Sequence, residues 1–407
     1  MRTYKYVLSK VLCPEIVKQC ALDAAEGKLH RPEVIQFFKE FDRSYDHVIK
    51  CATDPSFKPC EDNKHTIIDG SNHKERHIEK PRFNPEQVLH HLIIEGFKPI
   101  LLEGLYEQVY GCLPSITKLS ANEVPYEKSF GPHEAVKTLT KWVQTGTKIY
   151  IGVTDIHHAY DSVHIGILVR MMEEVIKDQD WINLVCKFLH YDKNDPNCEN
   201  VYGLVLGHYT SPWFFNFYLK KFDHFIAAIH DVKYLRYADN IFLVGTNKRK
   251  VHRAMNALKE YLKNKLQLEL NKCTQVFRFE YIDPKTGKYR GRALDALGFI
   301  IHCNRIGVRK TILRGARRKA NKIKNKGDNT TFNDAASMLS RLGYFKHADA
   351  HTFYDNHIKN NINIKELKNI VAAHTKETAP ISMERRKIIN DGLAHSERLA
   401  TSNAAGI

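Results

Sequence analysis

The chain has 407 residues, 62 Lys and Arg against 46 Asp and Glu, and a net charge of +16 before any of its 22 histidines is protonated. With 43% apolar and 10% aromatic residues it has ample material for cores, which excludes a disordered chain, and at about 150 residues per domain its length predicts two or three folding units. No apolar run reaches the roughly 20 residues of a membrane helix, and the opening MRTYKYVLSKVLCPEIV lacks the apolar centre and cleavage site of a signal peptide, so a soluble cytoplasmic protein with no membrane partner is expected.

Residues 1–60 read as helical, with apolar positions at helical spacing in PEIVKQCALDAAEGK and PEVIQFFKEFDRSYDHVIKC. From 61 to 84, polar turns surround the β-like runs HTIIDG and ERHIEKPRF. Pro85 opens a helix, since proline suits a first helical position; a second helix is expected from Pro99 to Gly111 and a third over 133–144. The β-rich run KIYIGVTDI carries Asp155 near its end, and helices follow to about residue 191. SPWFFNFYLKKFDHFIAAI reads as a helix, and KYLRYADNIFLVGT as a hairpin with Asp239 at its tip. A helix (VHRAMNALKEYLKNKL), a strand (TQVFRFEYI), a turn (DPKTGK) and a strand (LGFIIH) follow, and beyond 309 the chain reads as helical, with a polar tail after about 394. The nine cysteines (13, 20, 51, 60, 112, 186, 198, 273 and 303) form no CxxC pair and read as reduced core residues, without a zinc site or a disulfide frame.

The positive charge is concentrated. Between 305 and 326 there are ten Lys or Arg in 22 residues, among them Arg309 and a set at i, i+3, i+4 and i+8: Arg314, Arg317, Arg318 and Lys322. One basic helix face of this kind tracks phosphates by counterion release and reads no sequence. A solvated helix face gives the same pattern.

Two acids carry the chemical reading. An Asp in a hairpin turn is more often a turn former than a ligand, and Asp239 alone decides nothing. In order, however, DIHHAYDS, the glycine-serine motif LGHYTSP, YADN and LGFIIH resemble the palm motifs of reverse transcriptases. Upstream, KERHIEKPRFNPEQVLHHLIIEGFKPI and KSFGPHEAVKTLTKWV resemble their two fingers motifs, so the likeness spans about residues 60–360.

The resemblance implies an α+β right-hand polymerase: an N-terminal helical extension (1–60), fingers (61–145), a palm with an antiparallel sheet (146–303) and an interleaved fingers segment near 165–202, then a basic helical thumb and tail (304–407). The implied activity is an RNA-directed DNA polymerase that adds dNTPs to a primer 3′-hydroxyl, with RNA template and DNA product as partners. Two Mg²⁺ ions are implied, held by Asp155, Asp239 and the carbonyl of Ile156, because hard cations in an in-line phosphoryl transfer take carboxylate and phosphate oxygens. Arg76 and Lys74 match the family's triphosphate-holding bases, and each also reads as an ordinary solvated base. Tyr160 matches the ring that crowds a ribose 2′-hydroxyl, a core aromatic being its other reading; Leu206 and Gly207 lie in the nucleotide-facing glycine motif. Lys272 stands for the lysine that protonates leaving pyrophosphate, although the family spacing falls nearer Cys273. His90, His91, His157 and His158 read as surface or packing residues, since Mg²⁺ rarely takes imidazole.

Asn240 departs from the family, which has a second Asp at that position. Three readings stay open: a working natural variant, as the Asp-Asn box of some negative-strand RNA virus polymerases resembles, an inactive protein, or a deliberate Asp→Asn change. A neutral amide also predicts a shift of preference from Mg²⁺ towards Mn²⁺. Leu206, where most of the family has Gln, resembles diversity-generating retroelement enzymes, whereas Ser211-Pro212 resembles group II intron enzymes. The run SMLSRLGYFKHADAHTFYDNHIK resembles the post-palm helices of diversity-generating and related bacterial enzymes. The implied setting is a bacterial retroelement or antiphage defence system, with a noncoding RNA or a small accessory protein as further partner. The alternative is a catalytically impaired nucleic-acid-binding protein of the same fold.

Overall fold

The computed structural model describes residues 2–68, 75–119, 125–195, 198 and 200–374. The expected polar tail lies outside them. Helices α1 (Pro14–Ala25), α2 (Pro32–Lys39) and α3 (Phe41–Thr53) come first; Pro14 and Pro32 take first-turn positions, where a missing N–H costs no bond. Their apolar faces, including Val17, Val34, Phe37 and Val48, are buried. An exposed antiparallel hairpin, β1 (Asn63–Ile68) and β2 (Glu75–Lys80), follows. A turn of π-helix at Phe83–Gln87 then leads into α4 (Val88–Leu102).

The second helix expected from Pro99 does not form. α4 runs through Pro99 to Leu102, Gly104 takes a left-handed φ of +69°, and the chain leaves the helix. Val109–Tyr110 becomes strand β3, paired in parallel with Arg236–Tyr237, so a β-branched and an aromatic residue that helical spacing had absorbed are drawn into a sheet edge. The hairpin β4 (Ile116–Leu119) and β5 (Pro125–Lys128) precedes α5 (Pro132–Val143). Next come β6 (Tyr150–Asp155), α6 (Ile165–Val175), α7 (Gln179–Phe188), α8 (Ser211–Ala227), β7 (Val232–Tyr237), β8 (Asn240–Gly245), α9 (Lys248–Leu266) and β9 (Gln275–Arg278).

These strands form one sheet in the order β3-β7-β8-β6-β9, antiparallel but for the β3–β7 pair. Both faces are covered. Tyr234, Ile241 and Leu243 face the large core shared with α1–α4 and α6–α9, whereas Leu235, Phe242 and Val244 face a second core under α5. Period-two alternation within near-continuous apolar strands gives this two-sided burial. A short hairpin, β10 (Tyr281–Ile282) and β11 (Tyr289–Arg290), leads to a three-stranded sheet of β12 (Leu294–Ala296), β13 (Phe299–Ile301) and β14 (Ile306–Val308), which closes the second core. Helices α10 (Lys310–Lys326), α11 (Phe332–Phe345) and α12 (His351–His357) pack round a third core of Ala316, Ala320, Ala335 and Met338. Among the described residues, no helix is long and apolar enough to cross a membrane.

Candidate active site

The ladder between β6 and β8 sets the geometry. Asp155 ends β6 directly opposite Asn240, and the two-residue turn Ala238-Asp239 joins β7 to β8 beside it. The Ile156 amide donates to the Asp239 carbonyl at 3.2 Å, which ties the two acid-bearing backbones together. Burial pushes the Asp239 carboxyl above the usual carboxylate range and the nearby Asp155 charge adds to this, while Arg76 and Arg236 pull the other way. The two acids lie within electrostatic reach of each other, so a cation between them would relieve their repulsion. Among the described residues, no cluster of three His, Cys, Asp or Glu side chains is placed to hold a metal. A pair of carboxylates suits instead an ion that takes the rest of its shell from phosphate and water.

The neighbours of the acids are specific. Asn240 donates its amide to Asp239 Oδ1 at 3.0 Å. Asn271 donates to Asp155 Oδ2 at 3.1 Å, and the Cys273 thiol donates to Asp155 Oδ1 at 3.0 Å, a bond that raises the thiol's pKa. Cys273, and not Lys272, therefore touches the acid; the Lys272 side chain is exposed beside it. Sequence reasoning missed Asn271, although LELNKCT places it two residues before the thiol.

Tyr160 stacks on Phe215 with ring centroids 5.1 Å apart. Its hydroxyl pKa is raised by burial and then by Cys112 and Asp239, which locates the ring beside the acidic turn. Tyr160 is thus a packed aromatic whose hydroxyl lies near Cys112 and Asp239. All nine cysteines are free, but Cys60, Cys112 and Cys273 are exposed, which corrects the expectation that all are core residues. Cys273 bonds Asp155, and Cys112 lies near Tyr160 and Asp239, so both stand beside the acids.

The glycine motif joins this centre to the β1–β2 hairpin. The Glu79 amide donates to the Leu206 carbonyl at 2.8 Å, three residues along β2 from Arg76. Gly207 has φ +109°, and a Cβ there would lie 2.2 Å from the Glu79 carbonyl oxygen, so only glycine permits this approach. Behind the loop, His208 Nε2 meets Asp62 Oδ2 at 2.5 Å, and His90 Nδ1 meets Thr210 Oγ1 at 3.1 Å. His91 stacks flat on Tyr209, and both histidines of the pair at 90 and 91 are packing residues. Lys74 lies outside the described residues.

The basic helix divides its charges. Arg314, Arg317, Arg318 and Lys322 are exposed along α10, opposite the buried Ala316, Ala320 and Ile323. Arg309 is bonded to Asp295 through Nη2 (2.6 Å) and Nε (3.0 Å), just before the helix begins. Lys319 and Lys326 both bind Asp334 of α11, at 2.7 and 2.5 Å, holding its carboxyl far below the usual range. Not all of the ten bases are therefore offered to a polyanion.

Residues 109–301, from β3 to β13, match the family model of reverse transcriptase (RNA-dependent DNA polymerase). No curated protein matches the chain. Among solved structures, the chain is similar to apo telomerase from Candida tropicalis truncated from the C-terminal domain, at 14% identity and a TM-score of 0.38, covering 60% of this chain and 53% of that one. It is also similar to telomerase from Candida albicans in complex with a TWJ fragment of telomeric RNA, at 14% identity and a TM-score of 0.40, covering 82% and 63%. The chain thus spans less than two thirds of either structure. The α+β architecture is a right-hand polymerase fold.

Proposed function

We propose that the chain is an RNA-directed DNA polymerase that extends a primer 3′-hydroxyl with dNTPs. The observation that carries this reading is the convergence of Asp155 and Asp239 at one end of the β6–β8 ladder, within a segment that matches the reverse transcriptase family. Two divalent cations bound there would lower the charge of the triphosphate and activate the hydroxyl. The chain's own residues bind and orient. Arg76 lies within electrostatic reach of Asp239 and supplies positive charge for the incoming triphosphate. Tyr160 packs rigidly beside the acids, where it crowds a 2′-hydroxyl. The Leu206–Gly207 backbone docks the fingers strand over the site. The exposed bases of α10 hold the template-primer by its phosphates. The biological setting we propose is a bacterial retroelement or an antiphage system, on the strength of Leu206 and of the post-palm run at 337–359.

A second reading, a nucleic-acid-binding protein with impaired chemistry, draws on Asn240, whose amide donates to Asp239 where the family's second carboxylate would stand. Extension of a primed RNA template with labelled dNTPs, in Mg²⁺ and separately in Mn²⁺, separates the two. Polymerisation in either metal supports the enzyme. Template-primer binding without incorporation in both metals supports the second reading.

A further inference from the structure

Beneath the acidic turn lies a charged network with no access to solvent. Arg236 of β7, Asp223 and Asn216 of α8, and Tyr234 of β7 are all buried. Arg236 binds Asp223 through two parallel bonds, Nε to Oδ1 at 2.8 Å and Nη2 to Oδ2 at 2.7 Å, and Tyr234 donates to the same carboxylate at 2.6 Å. Its remaining nitrogen, Nη1, reaches outward, donating to Asn216 Oδ1 at 3.1 Å and to the backbone carbonyl of Ala238 at 2.9 Å. That carbonyl belongs to the peptide bond that leads into Asp239.

The turn needs such a hold. Ala238 has φ +51°, a conformation that favours glycine and costs an alanine roughly 1 kcal/mol or more. Its amide donates to the Tyr110 carbonyl at 2.9 Å on the adjoining strand, so the residue before Asp239 is gripped at both its N–H and its C=O. A buried ion pair is a poor source of stability, because desolvating two charges offsets most of their attraction. A bidentate pair with a spare guanidinium nitrogen aimed at one carbonyl is, by contrast, a rigid way to fix a turn.

We propose that Arg236 is a positioning residue of the acidic site, fixing the Ala238-Asp239 turn to α8 so that the Asp239 carboxylate shares one cation with that of Asp155. This rests on the polymerase reading, but it acts through cation binding and is measurable without catalysis. Outer supports of metal ligands typically govern about 10- to 100-fold of metal affinity.

The test variant is Arg236→Met/Asp223→Leu/Tyr234→Phe, which replaces the network by apolar groups of similar size, a change that buried pairs often tolerate. Mn²⁺ binding is followed by electron paramagnetic resonance, with Asp155→Ala giving the background, alongside a cooperative thermal unfolding trace. We expect a folded protein whose Mn²⁺ midpoint rises by about tenfold or more. Its kcat should fall while its KM for dNTP stays within about threefold, since Arg76 and the fingers are untouched. A folded triple variant that binds Mn²⁺ as the parent does overturns the proposal. If the triple variant does not fold, Arg236→Lys decides by the same titration: its single ammonium serves Asp223 or the Ala238 carbonyl but not both, and an unchanged midpoint is again contrary. A parent protein that binds Mn²⁺ through the acids yet extends no primer contradicts the polymerase reading alone, leaving the role of Arg236 to the titration. A parent that binds no Mn²⁺ above background overturns both.

Discussion

At the scale of single residues, the site is defined by what each acid touches. Asp239 is desolvated and close to Asp155, while Asn240 offers it an amide hydrogen. Asn240→Asp adds one negative charge beside Asp239 and removes that donor. Mg²⁺-supported incorporation should rise, and the ratio of Mn²⁺ to Mg²⁺ activity should fall; a drop in Mg²⁺ activity would show that the amide itself is needed. Gly207 is the second decisive residue. Gly207→Ala puts a Cβ against the Glu79 carbonyl in a backbone conformation that side chains rarely adopt, so urea denaturation should show a loss of about 1–3 kcal/mol. Unchanged stability would mean that β2 is not docked on the motif. The acids, Tyr160 and the glycine stand out in the sequence as candidates because their motifs stand in a fixed order. Asn271 and Cys273 were not visible as partners of Asp155, since strand pairing brings them there from 116 and 118 residues away.

At the scale of elements, the sheet was the most legible part. Alternating apolar strands and the turn residues of YADN marked β6, β7 and β8. The failure at 99–111 was physical: helical spacing of apolar residues persists past Pro99, but Gly104 and the parallel partner of Val109 override it. The basic helix shows the same limit. Its exposed face was legible as periodicity, whereas the commitment of Lys319 and Lys326 to Asp334 depends on α11 folding back. Reversing charge at Arg314, Arg317 and Arg318 should therefore weaken template-primer binding equally for all sequences and flatten the log K against log salt slope by about one for each phosphate that is no longer neutralised. An unchanged slope would make this a merely solvated face. Lys319→Glu should instead act on folding, because its partner is an acid within the protein.

At the scale of the whole molecule, the N-terminal helices, α4 and one face of the five-stranded sheet share a single core. The extension is therefore part of the fold and not an appendage. That core also carries a pH dependence. Burial holds His90 well below its ordinary value, and burial with Lys28 nearby holds His91 at about 4 against 6.5. Between those values the unfolded chain binds a proton that the folded protein refuses, so stability falls as pH drops from about 6.5 towards 4. Each such group contributes up to ~1.4 kcal/mol per pH unit. His91→Phe keeps a ring on Tyr209 and should flatten this decline; an equally steep decline in urea unfolding at pH 7 and pH 5 would assign it elsewhere.

The central claim, that Asp155 at the end of β6 and Asp239 in the adjoining β7–β8 turn drive nucleotide addition, is tested most directly by single-nucleotide incorporation on a primed RNA template. Parent, Asp155→Ala and Asp239→Ala proteins are compared, with template-primer affinity measured on the same samples. The account predicts incorporation by the parent and its abolition in both variants, with affinity within about threefold because α10 is unaltered. Incorporation by either variant at the parent's rate would contradict it.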